Sequence, residues 1–80
     1  MTVLAVFKSR SETLGFVSVL RSGGVPASAM ATPKEAGVGC GLSVRFEEGF
    51  LPRARLFLTK KNYPSFAGFM KKTPFGYGYL

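Results

Sequence analysis

The residues of this 80-residue chain that could do chemistry lie around its single cysteine, Cys40. Glycines occupy alternate positions there, at Gly37, Gly39 and Gly41. Glycine adopts positive φ at little cost and leaves room for a ligand or another chain to approach. The spacing therefore predicts a loop with an accessible thiol, to which Gly39 and Gly41 give access.

Several polar residues could act on that thiol. The cations are Lys8, Arg10, Lys34 and Arg45, and the hydroxyl side chains are Ser9 and Thr32. A neighbouring Lys or Arg and a helix N-terminus both favour the thiolate, which is the reactive form of cysteine. We therefore expect these cations, above all Lys8, Lys34 and Arg45, to promote ionisation of the thiol.

Two segments have the spacing of a capping box, in which a Ser or Thr and a Glu three residues later cap a helix N-terminus. One is Ser9 with Glu12, which is expected to begin a helix whose positive end faces the cysteine. The other is Thr32 with Glu35, where Pro33 falls at a preferred first helical position. The second segment is expected to open the glycine loop with a short helical turn.

Two other interpretations of the loop stay open. A lone cysteine often packs as a small buried hydrophobe, here at the start of a strand. The alternate glycines could instead hold an anion on their backbone N–H groups, with Lys34 and Arg45 helping. The loop is not followed directly by a helix, so it is neither a P-loop nor a dinucleotide fingerprint.

The composition excludes several kinds of site. A single Cys forms no internal disulfide, and with no His in the chain it forms no zinc-finger site. Without His and Asp, neither a catalytic triad nor a paired-aspartate site can be built. We therefore expect no metal and no cofactor, and a carrier or binding protein instead of a classical enzyme.

The apolar spacing predicts four strands. They are residues 2–8, 25–31, 42–46 and 65–71. The first is apolar on both faces, as a central strand is, and Pro26 places the second at a sheet edge. In the third, Leu42, Val44 and Phe46 alternate with outward Ser43 and Arg45.

Two helices complete the pattern. The first buries Thr13, Phe16, Val17 and Leu20 and ends at the pair Gly23-Gly24. The second begins no earlier than about Gly49, because Pro52 is tolerated only in the first turn. Asn62 is expected to end it as a left-handed cap.

The order β-α-β-β-α-β in so short a chain is the split βαβ arrangement of the ferredoxin-like fold. We predict an α+β two-layer sandwich with an antiparallel sheet of order 4-1-3-2, formed by residues 1–72. Residues 73–80 are set apart as a C-terminal aromatic and glycine tail. Because the third strand runs antiparallel to the first, the glycine loop and the start of the first helix should share one end of the domain.

Charge and hydropathy suggest where the protein acts. Eleven Lys and Arg against four acids give a net charge of +7, which favours acidic partners. Ferredoxin-like sheets that bind RNA stack bases on aromatics of the first and third strands, but here only Phe7 is expected to face outward.

Residues 3–7 are too short an apolar run for a signal peptide or a membrane span, so a cytoplasmic protein with no membrane contact is expected.

Four segments carry a resemblance to a known family. They are Phe7-Lys8-Ser9, Gly24-Val25-Pro26, Thr32-Pro33-Lys34-Glu35 and Cys40-Gly41-Leu42-Ser43-Val44-Arg45. Together they resemble the selenium/sulfur carrier-like family of small bacterial proteins over residues 3–70. The resemblance implies that Cys40 is the carrier thiol, which would take Se or S from a donor protein and pass it to an acceptor. The alternative is a basic nucleic-acid- or protein-binding module with no thiol chemistry, and a homodimer is compatible with either.

Overall fold

The structure is a computed structural model that describes residues 1–37 and 41–80. Within that part, the strands are β1 (Thr2–Phe7), β2 (Ser28–Ala31), β3 (Leu42–Glu47), β4 (Phe66–Thr73) and β5 (Gly76–Tyr79). The helices are α1 (Arg10–Ser22) and α2 (Leu51–Lys60), and two 3₁₀ turns cover Lys34–Ala36 and Glu48–Phe50. Neither α1 nor α2 is long and apolar enough to cross a membrane. The α+β class predicted from the sequence is confirmed.

The five strands form one antiparallel sheet in the order β2-β3-β1-β4-β5. The four expected strands lie in the predicted order, 4-1-3-2, but the expected sheet is incomplete because a fifth strand lies beyond β4. That strand consists of residues 76–79, which the sequence analysis set apart as a tail, and it pairs Gly78 with Lys71. At the other edge lies β2, as the proline at its start predicts.

Strand β1 is central and buried on both faces, as predicted. Val3, Ala5 and Phe7 face the two helices and belong to the main core. Leu4 and Val6 face the other way, into a smaller cluster. All five side chains are fully buried, which fits their continuous apolar run.

Helix α1 buries the four residues that its spacing predicts, namely Thr13, Phe16, Val17 and Leu20. It ends as expected near Gly24, whose φ of 83° is left-handed. Helix α2 has Pro52 in its first turn. The left-handed cap expected at Asn62 is wrong, because no described non-glycine residue has a positive φ. The chain instead leaves α2 through Lys61 in an extended conformation, which needs no left-handed residue.

The sheet face opposite the helices is covered by short segments. Ala36, in the first 3₁₀ turn, packs with Leu4, Val6 and Met70. The Tyr79 hydroxyl of β5 donates a 2.8 Å hydrogen bond to the Ala36 carbonyl. This face is therefore partly closed by the turn and by β5, which is why a first strand apolar on both sides is stable here.

Candidate functional site

The candidate site lies where α1 begins and β3 begins. The Ser9 hydroxyl accepts a 3.3 Å hydrogen bond from the Glu12 N–H and caps α1. The Thr13 hydroxyl lies 3.1 Å from the Ser9 carbonyl and 3.3 Å from the Leu42 carbonyl. The first turn of α1 is thus tied to the start of β3, and the expectation that the two share one end of the domain is confirmed for the described residues.

Ser65 ties the same end to the segment before β4. Its N–H and its hydroxyl both donate to the Glu12 carboxylate, at 3.0 and 2.6 Å. The Ser9 N–H donates to the Ser65 hydroxyl at 3.0 Å, and the Lys8 N–H donates to the Ser65 carbonyl at 2.9 Å. Ser65 could not be predicted from the sequence, because a hydroxyl residue in a loop carries no signal of a partner 53 positions away.

The glycine loop is closed at its base. The Thr32 N–H donates to the Gly41 carbonyl at 3.0 Å, so the two ends of the segment that contains Cys40 are joined. Gly37 and Gly41 have φ values of 72° and 86°, which only glycine adopts readily. Cys40 and Gly39, on which the carrier hypothesis depends, lie outside the described residues.

The second expected capping box does not form. The Thr32 hydroxyl lies 2.7 Å from the Ser43 hydroxyl, and Pro33 occupies the cap position without a side-chain hydrogen bond. Ser43 is fully buried, so the expectation that it faces outward is wrong. Its hydroxyl is satisfied inside the protein by Thr32, which is how a polar residue can occupy the buried face of a strand.

The expected cations do not all gather at this end. Lys8 follows β1, Arg10 is the first residue of α1, and both side chains are exposed. Lys34 is exposed at the start of the first 3₁₀ turn. Arg45 is in the middle of β3, about 14 Å along the strand from Gly41, and its nearest charged partner is the Glu47 carboxylate at 3.9 Å.

The acids near the loop are already engaged. Glu12 accepts the two hydrogen bonds from Ser65. The Glu35 carboxylate accepts a 3.2 Å bond from the Tyr77 N–H of β5. Backbone N–H groups of Glu35 itself and of Tyr77 hold the pKa of Glu35 below its ordinary value of 4.5. Both carboxylates are therefore directed at backbone groups of the C-terminal half.

An aromatic cluster lies behind the first turn of α1. The Phe7 ring packs on those of Phe16, Tyr63 and Phe66 at centroid distances of 5.4, 5.6 and 5.3 Å. Phe7 is fully buried, so the expectation that it faces outward is wrong. Burial and the negative charge of Glu12 raise the pKa of Tyr63, whose buried hydroxyl has no hydrogen-bond partner among the described residues. No sequence pattern predicts this unpaired phenol hydroxyl.

The described first strand does not provide a surface for stacking bases. The first strand offers no exposed aromatic, because Phe7 is in the core. Within residues 1–37 and 41–80, no three His, Cys, Asp or Glu side chains gather as metal ligands. No curated protein and no solved structure matches the chain. The family model described as "Putative Se/S carrier protein-like" matches residues 2–67, and the chain belongs to that family.

Proposed function

We propose that this protein carries sulfur or selenium on Cys40 for transfer between proteins. The observation that carries the proposal is the family match over residues 2–67, a range that contains the only cysteine of the chain. Donor and acceptor proteins follow from that role in general terms. A homodimer, a cytoplasmic location and a ferredoxin-like relationship remain predictions of the sequence.

The transfer needs only a thiolate at each step. The Cys40 thiolate attacks the outer sulfur of a donor persulfide, the S–S bond of the donor breaks, and the donor thiolate leaves. The outer sulfur is now bound to Cys40 as a persulfide. A nucleophile of the acceptor attacks that outer sulfur, and the Cys40 thiolate leaves. Selenium follows the same two displacements, and neither requires an oxidant or a histidine base.

The described residues around the loop support this chemistry. The capped N-terminus of α1 is tied to Leu42, two residues after Cys40. Lys8, Arg10 and Lys34 bring positive charge to the same part of the chain, which favours a thiolate. In the proposed site, Gly39 and Gly41 give access, while Ser9 and Thr32 hold the two sides of the loop. Arg45 has a smaller role, since it lies along β3 beside Glu47.

Intact-protein mass spectrometry tests the proposal directly. The full chain, purified without reductant, is incubated with glutathione persulfide, and its mass is compared with that of Cys40→Ser. The wild type should gain one sulfur atom on Cys40 and lose it on addition of a thiol, whereas Cys40→Ser should gain none. A wild type that stays unmodified, while a persulfide-forming control protein is loaded, would contradict the carrier role.

The alkylation rate separates the carrier from a buried structural cysteine. At neutral pH, iodoacetamide should modify Cys40 several-fold faster than free cysteine, because an accessible thiol near cations is more fully ionised. The matched control is the same reaction in denaturant, where that advantage should disappear. Slower labelling of the folded protein than of free cysteine would favour the alternative, a binding module with no thiol chemistry.

A further inference from the structure

A groove of about 410 Å³ lies between α2 and β4, on the helix side of the sheet. Its walls include Arg55 and Leu58 of α2 and Phe66 and Phe69 of β4, and Leu80 closes one side. Most of these side chains are apolar, and Leu80 is 59% exposed. The groove is therefore lined mainly by apolar side chains.

The groove exists because two helices cover a sheet of five strands. Val3 faces the helices, and it pairs with Lys71 of β4. Because Lys71 pairs in turn with Gly78, Gly78 lies on the helix side of β5. A Cβ added there would meet no atom within 4 Å. Tyr79 points to the opposite face, where it bonds to Ala36. On the helix side, β5 thus offers bare backbone next to an apolar wall.

The α2 wall of the groove carries one cation, Arg55, which is exposed. Arg53 donates to the Gly23 carbonyl and so lies on the α1 side of α2, away from the groove. The Arg55 guanidinium lies 5.2 Å from the centroid of the Phe69 ring and makes no ion pair within the described chain.

The acids of the chain have partners elsewhere. Glu48 is paired with Lys71 at 2.9 Å and Glu47 with the terminal amine at 3.5 Å. Glu12 bonds to Ser65, and Glu35 bonds to Tyr77 on the other face. Within the described residues, no acid therefore pairs with the Arg55 guanidinium at the groove.

We propose that this groove binds an acidic amphipathic segment of a partner protein, with apolar side chains on Phe66, Phe69 and Leu80 and a carboxylate on Arg55. A second copy of the chain fits less well, because it brings a net charge of +7 and the same cationic helix. Nucleic acid supplies phosphates but no aliphatic side chain for the apolar wall. Neither Gly37 nor Gly41, the described ends of the loop that contains Cys40, lines the groove, so we expect it to bind a partner whether or not the thiol carries sulfur.

Three synthetic peptides test the proposal with the full chain. The first is a helix-forming peptide with leucines on one face and glutamates on the other, the second has Gln for every Glu, and the third has Ser for every Leu. By fluorescence anisotropy, the first should bind at least about tenfold more tightly than either of the others. Its amide shift changes in NMR spectra should centre on Leu58, Phe69, Gly78 and Leu80.

Two variants with matched controls sharpen the test. Gly78→Leu adds an apolar side chain on the helix side of β5, two residues before Leu80, without backbone strain, since Gly78 lacks a positive φ, and should weaken binding about tenfold. Gly49→Leu, at another glycine with open space around it, should leave binding unchanged. Arg55→Gln should weaken binding about threefold, whereas Lys34→Gln, which removes the same charge on the other side of the sheet, should not.

Several results would overturn the proposal. In the binding assay, these are equal binding of the Glu and Gln peptides or no binding of the first peptide. In the NMR spectra, they are shift changes on the Ala36 side of the sheet, or shifts at the groove that depend on protein concentration and so show a second copy there. Binding of a single-stranded oligonucleotide at the same amides in place of the peptide would also overturn it. Cys40→Ser should bind the first peptide as the wild type does, so failure of the carrier role and failure of the groove are distinguishable.

Discussion

Residues 9–12 and residues 32–35 both begin with a hydroxyl side chain and have glutamate at the fourth position. Ser9 caps a helix of 13 residues and accepts the N–H of Glu12. Thr32 caps nothing, since its hydroxyl is 2.7 Å from that of Ser43 and the turn after it has three residues. Residues 9–12 thus begin a full helix, whereas residues 32–35 only precede the glycine loop.

The difference lies in the distant partners that each segment meets. In neither segment does the glutamate return to the residue that begins it. Glu12 accepts from Ser65, and Glu35 accepts from the N–H of Tyr77. Glu12 thereby joins α1 to the residue before β4, and Glu35 joins the first 3₁₀ turn to β5. A capping pattern provides a hydroxyl and a carboxylate side chain. The partners to which these side chains bond depend on how β4 and β5 pack.

The largest effect is expected at Glu12. Glu12→Ala removes the acceptor of two hydrogen bonds from Ser65 and should lower the free energy of unfolding by about 2–3 kcal/mol. Urea denaturation measures it. Glu12→Gln keeps an acceptor oxygen and should cost roughly half as much. A loss below about 0.5 kcal/mol for the alanine variant, typical of surface substitutions, would show that the contact with Ser65 contributes little.

In residues 32–35, a loss of stability should come from the Ser43 hydroxyl when its partner is removed. Thr32→Val keeps the Thr32 backbone bond to Gly41 but leaves a fully buried hydroxyl unpaired, at a cost of about 1–2 kcal/mol. Adding Ser43→Ala removes the orphaned group and should recover much of that loss. Urea unfolding of both single variants and the double variant measures the coupling. Purely additive losses would mean that the two hydroxyls do not interact.

A substitution of Ser9 should show how much stability is lost when only the helix cap is removed. Ser9→Ala removes the acceptor of the Glu12 N–H and should destabilise the protein by about 1 kcal/mol. Ser11→Ala is the matched control, because Ser11 is exposed on the same turn and its hydroxyl contacts only that of Ser9. If the two alanine variants unfold at the same urea concentration, Ser9 does not act as the cap.

The parts of the fold that follow from local spacing could be predicted. The buried side of α1, the central position of β1 and the edge position of β2 each depend on residues within one element. Strand β5 was missed, because Gly76 and Gly78 weaken a strand pattern and its pairing with β4 is visible only in three dimensions. Ser43 was misplaced for the same reason, since its buried position depends on Thr32.

The candidate site could be predicted only in part. The pairing of the α1 start with the β3 start follows from strand direction, and it placed Ser9 and Gly41 at one end of the domain. Arg45 was grouped with them because it is close in sequence, but an extended strand carries it about 14 Å away from Gly41. Ser65 and Tyr63 could not be found, because their importance depends on contacts with Glu12 and with the rings of α1 and β1.

The smallest effect is expected from Glu35, which is fully exposed. Because its pKa is lowered in the folded protein, it adds stability above its ordinary value of 4.5, and that stability is lost as the pH falls through the lower folded value. Glu35→Gln should therefore be less stable than the wild type at about pH 6, and the gap should close towards about pH 3.

The Tyr77 amide gives the more direct measurement. Its NMR shift should titrate with Glu35, with a midpoint below 4.5, because the carboxylate accepts its N–H. In Glu35→Gln that titration should vanish, while the wild type measured in parallel provides the control. A Tyr77 amide that does not titrate would mean that Glu35 does not hold β5. Residues 32–35 would then differ from residues 9–12 in the long-range partner as well as in the cap.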